Sequence, residues 1–271
     1  MIIFIKGNND RTTTLKVKSS NTIYSLKQKI QNLDNIPFKQ QRLTFLGKQL
    51  ENEKTLKDYN IKNNSTIYYC IILRGGKPVI MVYTSHPIDV SLTLKLSKTW
   101  KFLHTYPKPN LIDEHHLEWK IKTEGSLSGT IYKDEQEFPY LFYDLDVLTK
   151  MFTFKNFHCL KRENVVSFLE KALEILGLNR RETTDFITYW IQQVVDKSYT
   201  VIEFLSEENY QNIAHLEISP PPKSLIRIFM IFFSTETPLQ STVDMKQWTK
   251  RERNDKEYCV VEWGGSNCLN K

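Results

Sequence analysis

The chain has 271 residues, enough for one large domain or two domains of ordinary size. It is 40% hydrophobic, 25% charged and 12% aromatic, a composition that excludes disordered and collagen-like chains. Its apolar runs are far shorter than the roughly 20 residues of a membrane helix, and its N-terminus lacks the basic region of a signal peptide. We therefore expect a cytoplasmic or nuclear protein that does not contact membranes.

The positive charge is concentrated at the N-terminal end of the chain. Residues 1–76 contain 13 Lys and Arg against 5 Asp and Glu, whereas the other 195 residues contain 24 against 26. The basic residues are scattered among apolar ones and lack the clustered arginines and stacking aromatic residues of nucleic-acid binding. This pattern indicates a solvated basic face and no nucleic-acid partner.

The first elements of the chain are a hairpin and a helix. Apolar and polar residues alternate in 1–17 around a turn-forming cluster, which predicts a β-hairpin. Thr22 is placed to cap a helix whose apolar residues recur at helical spacing as far as Leu33, and Pro37 prevents that helix from continuing. Further strands are expected at 41–45, 49–50 and 66–72. Together these elements form the β-grasp arrangement.

The segment 1–76 resembles ubiquitin, with which it aligns over its whole length without a gap. The stretches that carry the resemblance include Ile36-Pro37, Gln40-Gln41-Arg42-Leu43, Gly47-Lys48-Gln49-Leu50-Glu51, Asp58-Tyr59-Asn60-Ile61 and Leu73-Arg74-Gly75-Gly76. The resemblance implies a ubiquitin-like domain at 1–76 with partners in the ubiquitin pathway: a hydrolase, an activating enzyme or a receptor.

The receptor-binding patch of ubiquitin is altered in this segment. Its aliphatic and histidine positions are occupied here by Asn8, Thr44, Tyr68 and Cys70. Polar replacements remove apolar area and leave groups that need partners, so we expect ordinary ubiquitin receptors to bind weakly. Tyr68 either supplies a different anchor or packs on the strand surface.

The tail and the chain-forming lysines are altered in part. The resemblance implies that the activating enzyme recognises an arginine at the position where this chain has Ile72. The arginines Arg42 and Arg74 of the family are present. Charging by ordinary ubiquitin enzymes is therefore in doubt. Of the lysines that form chains in the family, four are present: Lys6, Lys27, Lys29 and Lys48. The other three positions hold Arg11, Leu33 and Asn63.

Gly75 and Gly76 end the ubiquitin-like segment. The resemblance implies that peptidases thread such a tail through a channel admitting only residues without a Cβ and cut after the second glycine. A proline directly after the second glycine would hinder the cut. Here that position is Lys77, and Pro78 comes one residue later, so the sequence permits cleavage after Gly76. The pair is therefore either a processing and isopeptide-conjugation site or a flexible joint, and it is itself the linker between the two domains.

Residues 77–271 are predicted to form one α+β domain of antiparallel strands and a helix pair. Closely spaced strands, typical of a sandwich or half a barrel, are expected at 79–83, 90–96, 100–106, 117–122, 130–132 and 139–143. An apolar face from Val165 to Leu176 predicts a helix that ends at Gly177, and Thr183 or Thr184 opens a second helix. Later strands are expected at 201–205, 226–233 and 257–263.

Three stretches of this region resemble an uncharacterised bacterial domain: Lys77-Pro78-Val79-Ile80, Tyr140-Leu141-Phe142 and Val260-Val261-Glu262-Trp263-Gly264-Gly265. The resemblance implies no activity. It implies only that 77–271 is a unit that can exist without the ubiquitin-like segment.

Groupings typical of catalysis or metal binding are few. His115 and His116 follow two acidic residues, but chain neighbours rarely ligate one ion, and a solvated loop is expected. His158 and Cys159 are adjacent in sequence, whereas catalytic pairs usually meet in space. The four cysteines lack metal-ligand spacing and are expected to be reduced. We predict no catalytic residue, no metal and no other cofactor.

We therefore expect a non-enzymatic fusion in which the N-terminal domain is a recognition module or a processable modifier and the C-terminal domain binds an unassigned partner. Two alternatives stay open. A cryptic hydrolase would be indicated by a pocket lined by His104, Asp144, His158 and Cys159. In the other alternative, the whole chain is an uncleaved scaffold that docks onto proteasome or unfoldase receptors.

Overall fold

A computed structural model describes seven stretches of the chain: 1–6, 12–34, 41–46, 48–71, 74–147, 152–254 and 256–268. The chain forms two compact units. The first is built around Met1–Leu73, and the second comprises Arg74–Asp146 and Phe152–Asn270. The division falls ahead of the boundary predicted after Gly76, because the residues that follow Leu73 are already part of a strand of the second unit.

The first unit is a five-stranded sheet with one helix. Its elements are β1 (Ile2–Lys6), β2 (Thr12–Lys16), α1 (Ile23–Asp34), β3 (Gln41–Phe45), β4 (Lys48–Gln49) and β5 (Thr66–Ile71). The strand order is β2-β1-β5-β3-β4, with β1 and β5 parallel and the other pairs antiparallel. This is the β-grasp fold, and the prediction is confirmed.

The core of the first unit lies between the helix and one face of the sheet. Alternate strand residues such as Ile3, Ile5 and Leu15 are buried, which leaves their neighbours on the opposite, outer face. At the start of the helix, the Ser25 amide donates to Thr22 Oγ1 at 3.2 Å. Leu33, in the last helical turn, continues the helical spacing of the apolar residues but is 54% exposed, so the buried part of the apolar face ends before it.

The second unit contains thirteen strands and three α-helices among the residues described. The strands are β6 (Arg74–Tyr83), β7 (Asp89–Leu96), β8 (Trp100–Tyr106), β9 (Asn110–Asp113), β10 (His116–Thr123), β11 (Ile131–Lys133), β12 (Gln136–Phe138), β13 (Leu141–Val147), β14 (His158–Lys161), β15 (Tyr199–Phe204), β16 (Ala214–Ser219), β17 (Ser224–Thr235) and β18 (Cys259–Asn267). The helices are α2 (Val165–Ile175), α3 (Arg180–Val194) and α4 (Glu207–Ile213).

These strands form two sheets. One has the order β12-β11-β10-β7-β16, with β9 paired to β10, and the other has the order β14-β15-β17-β18-β6-β13-β8. Strands β17 and β18 are parallel, whereas β6 pairs antiparallel with both β18 and β13. Arg227 of β17 donates to the Ala214 carbonyl of β16 at 2.7 Å and so joins the two sheets. The expected α+β class is confirmed.

Helices α2 and α3 cover one face of the seven-stranded sheet. Their buried residues, among them Leu169, Phe186 and Trp190, pack against the sheet residues Ile228 and Val261. Helix α3 begins at Arg180 rather than at Thr183 or Thr184, because Asn179 and Glu182 form a reciprocal capping box there. None of the helices in the described stretches is long and apolar enough to cross a bilayer.

Candidate functional site

Gly75 and Gly76 lie inside strand β6 of the second unit. In the antiparallel register, Gly75 is opposite Ser266 of β18 on one side and Leu145 of β13 on the other, and Gly76 is opposite Gly265. The expectation that the glycine pair is a flexible joint between the two domains is therefore wrong. The sequence shows a clear β pattern only from Val79, and glycines are poor strand formers. Pairing with β18 and β13 therefore explains why strand β6 begins before Val79.

The neighbouring strand also carries a glycine pair at the level of this tail. A Cβ on Gly264 would lie 2.9 Å from Pro78 Cα, and a Cβ on Gly265 would lie 2.7 Å from the Met230 carbonyl oxygen and 3.1 Å from the Trp190 ring. Such distances are shorter than normal carbon contacts, so both positions require glycine. Because Gly264 and Gly265 have no side chains, β6, β17 and α3 can pack close to β18.

A buried polar network lies on the same strand. Glu262 is fully buried, and its Oε2 accepts from Arg227 Nε at 2.5 Å. Its Oε1 accepts from the Tyr210 hydroxyl at 2.8 Å and from the Tyr143 hydroxyl. The Arg227 guanidinium stacks over the Tyr210 ring at 4.3 Å.

Burial raises the pKa of both tyrosines well above its usual range, so neither hydroxyl ionises. The carboxylate is neutralised by Arg227, and each of these side chains is almost completely buried. The arrangement fixes α4 and β17 against β18 and is structural.

The predicted partner-binding residues are divided between the two units. Thr44 of β3 is opposite Tyr68 of β5, and the position of Arg42 is opposite that of Cys70, so these four positions share one face of the β-grasp sheet. Thr44 is half-buried and Tyr68 is 53% exposed. Arg74 lies in β6 of the second unit. Asn8 and Ile72 lie outside the described residues.

The predicted chain-linkage lysines differ in accessibility. Lys48 and Lys29 are exposed, with Lys29 Nζ donating to the Lys16 carbonyl at 3.1 Å, and Lys6 is half-buried. Lys27 is only 8% exposed, and burial lowers its pKa. A buried amine cannot reach a reaction partner, so this lysine is a poor linkage site in the folded domain.

Of the three altered positions, Leu33 is exposed, and Asn63 Oδ1 accepts from the Ile2 amide at 2.6 Å. Arg11 is outside the described residues.

The residues considered for a hydrolase are not brought together. The buried His158 ring packs against Phe168 and Trp248, with ring centroids at 4.7 and 5.6 Å, and burial lowers its pKa. Cys159 follows it on β14 and therefore points to the opposite face, where its Sγ accepts from the Leu239 amide at 3.2 Å. His104 is exposed on β8.

The His115-His116 segment forms a hydrogen-bonded turn. Asp113 Oδ1 accepts from both histidine amides, and Asp113 Oδ2 lies 2.7 Å from His116 Nδ1. His115 Nδ1 lies 2.6 Å from the Trp100 carbonyl oxygen instead. Within the described stretches, His, Cys, Asp and Glu residues do not form a group of three that suits a metal ion.

A cavity of about 680 Å³ opens on the polar side of the six-stranded sheet and was not predicted. Its rim carries charges of both signs, including Asp89, Lys122 and Glu135, beside the Tyr132 ring. In the sequence these residues are spread over β7, β10, β11 and the turn that follows β11, so only the sheet register brings them together.

The comparisons with known proteins concern the first unit. Residues 3–74 match the model of the ubiquitin family. The NEDD8-like protein RUB3 of Arabidopsis thaliana is 32% identical over 76 residues, which are 28% of this chain and 97% of that protein. The NEDD8-like protein RUB1 of Saccharomyces cerevisiae and the ubiquitin-like protein NEDD8 of Dictyostelium discoideum are each 30% identical over 76 residues, 28% of this chain and 99% of those proteins. Through this N-terminal domain, the chain belongs to the ubiquitin family.

Proposed function

We propose that the N-terminal domain is a protein-recognition module that stays covalently attached to the second unit. It binds proteins of the ubiquitin pathway and so brings the second unit to them. In this proposal the tail is not processed, and residues 77–271 act by binding rather than by catalysis. The proposal favours the uncleaved scaffold over the processable modifier.

The position of Gly75 and Gly76 in β6 carries the proposal. A peptidase binds its substrate as an extended, unpaired chain, whereas these residues are paired with β18 and β13. Cleavage therefore requires that the start of a central strand leaves both neighbours. Each backbone hydrogen bond that is lost costs about 0.5–1.5 kcal/mol, and the open state is correspondingly rare.

The separation of the reactive side chains that the structure describes supports a binding role for 77–271. His158 and Cys159 point to opposite faces of β14, and burial raises the pKa of the Cys268 thiol to about 12. A thiol with such a pKa is a poor nucleophile.

The test is digestion of the full-length protein with a ubiquitin C-terminal hydrolase, followed by mass spectrometry. A matched variant carries a second copy of Arg-Gly-Gly followed by a flexible Gly/Ser segment, inserted between Leu73 and Arg74. The inserted copy is unpaired, whereas the native residues 74–76 keep their place in β6.

We expect the hydrolase to cut the insertion variant at its added copy and to leave the wild-type protein intact. Cleavage of the wild-type protein after Gly76, at a rate comparable to that of the variant, would contradict the proposal. If neither protein is cut, the chain is still uncleaved, and the tail sequence rather than its pairing is the reason.

A further inference from the structure

The connection between β17 and β18 is irregular. These two strands are parallel neighbours, and the crossover between such strands is usually a helix. In its described part, the connection 236–258 contains one 3₁₀ turn, Met245–Gln247, and no other helix or strand. Met245 and Trp248 pack against the core that lies under α2 and α3. We call residues 236–254 the strap.

The first part of the strap lies along the edge strand β14 and is held there by exposed groups. The Phe157 amide donates to Thr242 Oγ1 at 2.9 Å, and the Thr242 amide donates to the Phe157 carbonyl at 3.0 Å. The Cys159 amide donates to Ser241 Oγ at 2.9 Å. Water can replace exposed hydrogen bonds of this kind, so this part of the strap is able to separate by local unfolding.

The end of the strap is held more firmly. Arg253 donates to Glu182 Oε2 of α3 at 2.6 Å, and both side chains are buried. Breaking such a pair leaves a buried charge without its partner, which is costly. The two ends of the strap therefore differ in how easily they leave the second unit.

His158 lies beneath the middle of the strap. Its side chain is 7% exposed and contacts Phe168 of α2 and Trp248 of the strap, and Trp248 also contacts Phe204 of β15 with ring centroids at 6.0 Å. The buried Nε2 of His158 has no hydrogen-bond partner among the described residues. This site suits a neutral imidazole, whereas an imidazolium carries two N–H groups and a charge that need partners.

The charged groups near His158 do not compensate for its burial. Asp244 of the strap favours the protonated ring, but this carboxylate is exposed to solvent. Cys159 and Glu203 point to the opposite face of the sheet, because the register places His158 beside Ile202. Helix α2 contributes an aromatic ring at this point. Burial outweighs the effect of the carboxylate, and the pKa of the ring is lowered.

We propose that His158 is an acid-sensitive switch that controls the position of the strap. The neutral ring supports Trp248 and keeps the strap on β14 and the helix pair, which is the closed form. Protonation drives the ring out of its apolar site and releases 236–248, while the Arg253–Glu182 pair still holds the far end. Release uncovers the outer edge of β14, whose backbone groups then become available to an extended segment of a partner.

The two protonation equilibria set the sign and the size of the effect. The ring of the released form has a pKa near the ordinary value of about 6.5, and the ring of the closed form has a lower pKa. Above that value neither form binds the proton, and the strap stays closed. As the pH falls below it, the ratio of released to closed form rises by at most about tenfold per pH unit, until the pKa of the closed form is reached.

The test is hydrogen–deuterium exchange of the full-length protein between pH 7.5 and 5.5, followed by mass spectrometry. Each rate is divided by the chemical exchange rate of an unprotected amide at the same pH, so that only changes in protection remain. The Phe157 and Cys159 amides, which donate to strap hydroxyls, report release. Amides in the β17–β18 pairing serve as the internal reference.

Three variants separate protonation of His158 from other effects of acid. His158→Phe keeps an aromatic ring at the site and removes the titratable group. His104→Phe makes the same change at an exposed position of β8. Asp244→Asn removes the carboxylate that favours the protonated ring, and Asn still caps the 3₁₀ turn that Asp244 caps in the wild-type protein.

We expect the protection of the two reporting amides to fall by about fivefold or more on acidification in the wild-type protein and in His104→Phe, with the reference amides unchanged. Protection should stay constant in His158→Phe and should fall further in Asp244→Asn than in the wild-type protein.

The proposal is overturned if wild-type protection does not change with pH, or if it falls equally in His158→Phe. It is also overturned if the reference amides lose protection to the same extent, because the whole unit then unfolds. If circular dichroism shows that His158→Phe does not fold, the Asp244→Asn comparison decides, and an equal or smaller fall in that variant contradicts the switch.

Discussion

Gly75 of β6 lies directly opposite Ser266 of β18, near the other end of the chain. The glycine tail that closes a ubiquitin-like domain is in this protein the beginning of a central strand of the next unit. One short segment therefore belongs to one domain by sequence and to the other by hydrogen bonding. This relationship leads to the proposal of a recognition module that stays attached.

The glycines of β18 are expected to be intolerant of a side chain. Gly265→Ala places a Cβ 2.7 Å from the Met230 carbonyl oxygen and 3.1 Å from Trp190. We expect a loss of about 1–3 kcal/mol in the free energy of unfolding of the second unit, as for an overpacked core. Urea unfolding followed by tryptophan fluorescence measures it. An unchanged midpoint would show that β17 and α3 do not pack on β18 at Gly265 as described.

The buried ion pair is expected to behave cooperatively. Glu262→Met leaves the Arg227 guanidinium buried without its carboxylate, and we expect a loss of about 3–5 kcal/mol. In the same way, Arg227→Met leaves the Glu262 carboxylate buried without its guanidinium partner.

The double variant should cost clearly less than the sum of the two single variants, because it leaves no uncompensated charge. Additive losses in urea unfolding would mean that the two side chains do not interact in solution.

His158 is expected to make stability fall in acid. Burial holds its pKa below the unfolded value of about 6.5, although Asp244 partly opposes this shift. Above that value neither state is protonated. As the pH falls through it, only the unfolded state gains the proton, so stability decreases until the folded pKa is reached, by at most about 1.4 kcal/mol per pH unit.

The melting temperature measured between pH 7.5 and 5.5 should therefore fall less for His158→Leu than for the wild-type protein. His104→Leu, at an exposed position, should keep the wild-type pH dependence. Equal slopes for all three proteins would exclude a buried neutral His158.

Ordinary ubiquitin receptors are expected to bind weakly, because two positions of their usual apolar patch hold Asn8 and Thr44. Asn8→Leu combined with Thr44→Ile should strengthen binding of a ubiquitin-interacting motif, because both substitutions replace a polar side chain by an apolar one at positions of the patch. Titration calorimetry compares the two proteins with ubiquitin. Wild-type affinity equal to that of ubiquitin would contradict this expectation.

The β-grasp unit was predictable because its pattern is local. The alternation of apolar and polar residues predicts β1 and β2, and the helical spacing of apolar residues predicts α1. The resemblance to ubiquitin predicts the order of the strands. Helix α3 was placed a few residues late, since Asn179 was not recognised as its cap.

The site was less predictable than the fold. Gly75 and Gly76 do not by themselves predict a strand, because the two residues have no side chains and weak β-propensity. Their pairing depends on Ser266 and Leu145, which are far away along the chain. The Arg227–Glu262 pair was missed for the same reason. Each residue looked like an isolated charge inside an apolar strand, and the parallel β17–β18 register brings them together.

The most direct test of permanent attachment is the state of the Gly76–Lys77 bond in the protein isolated from its own cells. Trypsin cuts after Arg74 but not between Lys77 and Pro78, so the intact chain yields a peptide covering 75–95. A chain processed after Gly76 yields a peptide that begins at Lys77 instead. Quantitative mass spectrometry with both synthetic peptides as standards measures the ratio. We predict that the peptide beginning at Gly75 accounts for nearly all of the signal, and a predominance of the peptide beginning at Lys77 would contradict the account.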